Sequence, residues 1–174
     1  MPGKRKSKKE DEECIVISMK ESTQGWSKPK RARRSLRFQC QNLANELGLT
    51  IRDIPGGDGS NCGYMVLGSA MGVSEKCVRK KIMEFTVDEM RRVELAKENV
   101  WLNSDDMRAL SISGQDIICM SPHAAAILYS NGKEIALRSI DIIKKALHKN
   151  DAILLMNEPN FHFLALDRNV IPSS

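Results

Sequence analysis

Residues 56–64 read GGDGSNCGY. The glycines, aspartate, serine and asparagine ahead of Cys62 bury little and allow backbone conformations closed to bulkier residues, so the stretch predicts a tight polar turn. The run that follows, YMVLGSAMG (64–72), is largely apolar. Cys62 therefore stands where a glycine-rich loop enters a buried helix closed by Gly72. A cysteine kept for packing normally sits among Leu, Val and Ala. At a helix start, the dipole favours its thiolate instead.

Outward from this junction the first half of the domain reads as helices. Leu36, Cys40, Leu43 and Leu47 recur at helical spacing ahead of Gly48, and Ser74 opens a stretch carrying Val78 and Ile82. Thr86-Val87-Asp88-Glu89 reads as a capping box for a helix bearing Met90, Val93 and Leu95. Ser104-Asp105-Asp106 caps another through Met107 and Leu110. The second half turns to short β-prone runs: DIICM (116–120), AAILYS (125–130), EIAL (134–137), AILLM (152–156) and FHFLAL (161–166). One helical stretch, 139–149, interrupts them. Helices first and a small sheet later predict an α+β domain over 35–174.

The 174-residue chain carries a net charge of +5, unevenly spread. Residues 1–37 hold 12 Lys/Arg against 5 Asp/Glu, and the remainder 15 against 17. Basicity belongs to the tail, residues 1–34, which reads as disordered apart from a candidate edge strand CIVISM (14–19). Its clusters KRKSKK (4–9) and KPKRARR (28–34) suit a solvated tail, an import receptor or a nucleic-acid backbone. No zinc-finger spacing or basic-aromatic RNA-binding strand accompanies them. The sequence has neither a membrane-length apolar run nor a signal-peptide pattern, so the expected location is cytoplasm or nucleus (of the host cell, for a pathogen protein).

The five cysteines are scattered, with no CxxC and no Cys/His pair at zinc-ligand spacing, so neither a disulfide framework nor a metal site is expected. A cysteine nucleophile needs a base. The three histidines are His123, in a loop; His148, at the end of a lysine-rich helix; and His162, in the strand-like NFHFLAL (160–166).

The order of these pieces resembles the ovarian-tumour (OTU) family of cysteine deubiquitinases. The family's nucleophile motif, D-G-N-C before an apolar helix, is similar to DGSNC (58–62). Its Leu/Val-Arg pair matches Val78-Arg79, and its Trp-led block matches WLNSDDMRAL (101–110) before DIICM. Its closing strand, loop and His-aromatic strand match AILLMNEPNFHFLAL (152–166), so the likeness spans about residues 36–167. It implies a papain-like fold, with helices packed on a small, mostly antiparallel sheet. The activity it implies is hydrolysis of isopeptide or peptide bonds at the C-terminus of ubiquitin, polyubiquitin or a ubiquitin-like modifier. Cys62 would be the nucleophile and His162 the general base, with Asp58, Gly59 and Asn61 around the oxyanion. No cofactor or metal would be needed.

Two departures stand out. Ser60 lengthens the loop by one residue, setting Asp58 four positions before Cys62. The family's Asp or Asn two residues after the histidine is Leu164 here, which accepts nothing. Asn160, Asp167 and Asp53 are the candidates to replace it, and strand alternation favours Asn160.

Other papain-like peptidases fit less well. The bacteriocin-processing type needs a Gln shortly before its cysteine, and Gln39 and Gln41 lie too far back. The SUMO-protease group places its histidine first, and no histidine precedes Cys62. A non-catalytic ubiquitin-binding adaptor and a cysteine that merely packs at a turn are the remaining alternatives.

Overall fold

Along the strands of the second half, even-numbered and odd-numbered apolar side chains divide between two separate cores, with Leu137 joining the even-numbered set. A sheet with helices over both faces follows, because successive side chains of a strand point to opposite sides. The computed structural model describes residues 27–52, 54, 59–97, 100–123, 125–158 and 162–169. It divides into two compact units, residues 1–39 and 40–174. Within the first, the helix that begins at Ser27 carries a Gln39–Ser35 side-chain hydrogen bond of 3.5 Å.

The elements are α1 (Ser27–Leu47), β1 (Leu49–Arg52), α2 (Cys62–Met71), α3 (Glu75–Phe85), α4 (Glu89–Ala96) and α5 (Ser104–Ile112). After them come β2 (Ile117–Ser121), β3 (Ala125–Ser130), β4 (Lys133–Leu137), α6 (Ile140–Lys149), β5 (Ile153–Glu158) and β6 (His162–Arg168). The fold is α+β. Its sheet has the order β1-β6-β5-β2-β3-β4, with every neighbouring pair antiparallel except β2 and β5.

In the larger unit, Cys40, Leu43 and Leu47 of α1 and Ile143 and Leu147 of α6 pack on one face, against Met120, Met156 and Leu164. Helices α2 to α5 cover the other through Leu67, Ile82, Leu95 and Leu110, against Ile117, Leu155 and Phe163.

Most helices end where the residues dictate. Leu47 and Met71 are followed by Gly48 and Gly72, both at φ +73°, a left-handed conformation in which a side chain is strained. Ser74 caps α3 and Ser139 caps α6 through their hydroxyls.

Several expectations are amended. α1 begins at Ser27, inside the stretch assigned to the tail, whereas the candidate edge strand at 14–19 lies outside the described residues. Asp88, not Thr86, caps α4; its carboxylate accepts from the N–H groups of Met90 and Arg91, and Thr86 instead donates to the Ile82 carbonyl. Starting there, α4 buries only Leu95 and leaves Met90 and Val93 exposed. Asn103 rather than Ser104 caps α5, with Asp106 completing the box. LTIR (49–52) is a strand the sequence did not announce: four residues with no clear alternation, held by antiparallel pairing with Ala165–Arg168.

Candidate active site

Cys62 is the first residue of α2. The single 3-10 turn Gly59–Asn61 delivers the chain to it, with Asn61 at φ −86°, ψ −15° in the capping position. Asn61 makes no side-chain bond to the helix amides. The first-turn N–H groups and the positive end of the dipole therefore bear on whatever lies before them.

The Cys62 sulfur receives a hydrogen bond from the backbone N–H of Phe163 at 3.3 Å. A strand's N–H points sideways in the plane of its sheet. The sulfur thus lies beside the edge of β6, near its first residue. That first residue is His162. Its Cα is about 2.4 Å from the Phe163 nitrogen along the chain, so it lies within about 6 Å of Sγ. Cys62 is only 1% exposed, so any reagent reaches its sulfur only after covering groups move aside.

Close approach of α2 to β6 depends on Gly63. A Cβ there would fall 2.7 Å from Leu102 Cβ and 3.0 Å from Phe163 Cδ2. Any side chain would push the helix start, and Cys62 with it, away from Leu102 and Phe163.

A buried polar chain braces the same helix from behind. Arg79 of α3, 3% exposed, donates to Asn61 Oδ1 at 2.7 Å and lays its guanidinium 3.9 Å from the Tyr64 ring centroid. Because arginine only donates, the atom it meets is the amide oxygen, and the Asn61 NH2 group faces elsewhere. Among the described residues Arg79 Nε and Nη1 have no acceptor, and Glu75 approaches Nη2 at 3.7 Å. Tyr64 donates to Asp106 at 3.3 Å, and Arg91 grips that carboxylate at 2.5 and 3.0 Å. Burial, then the Asp106 charge, pushes the Tyr64 phenol well above its ordinary range, while the Asp106 hydrogen bond raises Arg91 further.

The other sequence candidates scatter. Gly59 and Asn61 sit in the turn before Cys62. Asp58, Asp53 and Asn160 lie outside the described residues. Asp167 is committed elsewhere: Arg52 holds it at 2.7 and 3.3 Å, five residues along β6 from His162. His123 and His148 are exposed, in the turn after β2 and the last turn of α6. Among the described residues no group of three His, Cys, Asp or Glu could hold a metal ion, and no helix is long and apolar enough to cross a membrane.

Sequence reasoning missed Glu158. It ends β5, is 0% exposed, and stands directly opposite His162 across the antiparallel pair. The signal was an acid closing an apolar strand just before the three-residue connection Pro159-Asn160-Phe161. Compared with known proteins, the chain matches no family model and no curated protein.

Proposed function

We propose that residues 35–174 form a thiol-dependent deubiquitinase of OTU type, on a papain-like frame, acting on isopeptide or peptide bonds at the C-terminus of ubiquitin or a ubiquitin-like modifier. The observation that carries this reading is the 3.3 Å bond from Phe163 N–H to Cys62 Sγ, which unites a helix-start cysteine with a strand opening on histidine.

The chemistry follows from the parts. His162 takes the thiol proton, and the thiolate, favoured by the helix dipole, attacks the carbonyl carbon. Gly59, Asn61 and the amides of the first turn of α2 receive the developing oxyanion. The leaving amine takes the proton from His162, and water then hydrolyses the thioester. The resemblance adds Asp58, which lies outside the described residues, to this oxyanion region. Residue types alone suffice for this sequence, with no cofactor. The basic tail would add an import receptor or nucleic-acid backbone as partner, in cytoplasm or nucleus.

The 1% exposure of Cys62 favours a second reading, an adaptor that binds ubiquitin without turnover. Ubiquitin bearing a C-terminal electrophile, mixed with wild type and Cys62→Ala and read by intact mass, separates the two. One adduct on wild type and none on the variant is the expected result. Binding without an adduct favours the adaptor, and neither binding nor adduct removes both.

A further inference from the structure

We propose that Glu158 is the positioning residue for His162, accepting a hydrogen bond from one ring N–H so that the other ring nitrogen is presented to the Cys62 thiol. The inference deepens the proposed function and rests on it for its catalytic meaning.

Four observations support it. Glu158 and His162 are directly paired Cα partners of β5 and β6. Opposed residues of an antiparallel pair project from the same face with Cβ atoms about 4.5–5.5 Å apart, within reach of a glutamate and an imidazole. Glu158 is fully buried, and a carboxylate taken out of water must be met by hydrogen-bond donors or charge. Leu164, at the place where the resemblance expects an acceptor, is itself buried in the apolar core beside Met156 and Leu166. Asp167 is already engaged by Arg52. The acid comes instead from the neighbouring strand, one position across rather than two positions along.

The device suits a histidine whose strand carries Leu164 where the resemblance expects an acceptor. A carboxylate on one ring nitrogen fixes the tautomer and favours the imidazolium that forms when the other nitrogen takes the thiol proton. Moving the proton from Cys62 to His162 leaves thiolate and imidazolium.

The test uses a small reagent, so that it needs no ubiquitin. Chloroacetamide at pH 6 alkylates Cys62: the S–C bond forms, the C–Cl bond breaks, chloride leaves and the proton stays on His162. An ordinary free cysteine is only about 0.3% thiolate at that pH. The rate is followed by peptide mass, with exposed Cys77 as internal reference, in wild type, Glu158→Gln, His162→Ala and the double variant. Glu158→Gln keeps the side-chain volume, and its melting curve checks the fold.

We expect Cys62 to react faster than Cys77 in wild type and about 10-fold slower in Glu158→Gln, with no further slowing when that change is added to His162→Ala. Equal slowing in both backgrounds, no slowing at all, or a wild-type Cys62 no faster than Cys77 would overturn the proposal. Fast, Glu158-dependent alkylation with no ubiquitin adduct would sink the deubiquitinase reading and leave this one standing.

Discussion

The backbone N–H of Phe163 donates to the sulfur of Cys62 at 3.3 Å across 101 positions of sequence. It joins the start of one helix to the start of the last strand, and with them the two side chains whose chemistry the sequence singles out. If that junction is a nucleophile's seat, Cys62→Ala removes adduct formation with a ubiquitin electrophile while the melting temperature holds. His162→Ala slows it by about 10²–10⁴-fold, the usual worth of a general base. Cys77→Ala, on the exposed side of α3, leaves the rate unchanged. The three variants are compared by intact mass over time.

Gly63→Ala should be disproportionately harmful for one methyl group. The new Cβ would meet Leu102 at 2.7 Å and Phe163 at 3.0 Å. Overpacking of this kind costs about 1–3 kcal/mol, read by urea unfolding. The Cys62 alkylation rate should also fall, because the helix start must retreat from β6. A variant as stable and reactive as wild type would show that α2 does not need this approach.

Arg79 links stability to reactivity. Its guanidinium is buried against Asn61, Glu75 and the Tyr64 ring, and removing one member of such a set leaves the others unmet. Arg79→Met should therefore lower the melting temperature. It should also slow Cys62 labelling about 10-fold, since Asn61 loses the partner that holds its side chain. An unchanged melting temperature with unchanged labelling would reverse the assignment.

Alkaline stability should depend on Cys119. Desolvation pushes its thiol up to about 12 in the folded chain. Between the unfolded value of about 8.5 and that folded value, the unfolded state binds fewer protons, so stability falls as pH rises through this window. Below it the contribution is complete. Cys119→Ala should flatten the fall between pH 9 and 11 in urea midpoints, partly, because Tyr64 and Tyr129 are also raised by burial.

By itself the sequence determined what is local. The turn before Cys62, the bounds of α2, the glycine ends of α1 and α2, the starts of α3 and α6 and the core strands were legible, because each depends on residues a few positions apart. So was the pair of chemical candidates, a lone cysteine at a helix start and a histidine opening a strand. The rest needed tertiary structure. β1 exists only because β6 offers it a ladder, and α4 was misread because Thr86 and Asp88, two positions apart, both suit a cap. Glu158 went unnoticed for the same reason: a carboxylate at a strand end looks solvent-facing until hairpin register sets it opposite His162 and packing closes over it. Register and burial come from the whole sheet, and the short-range pattern of residues does not contain them.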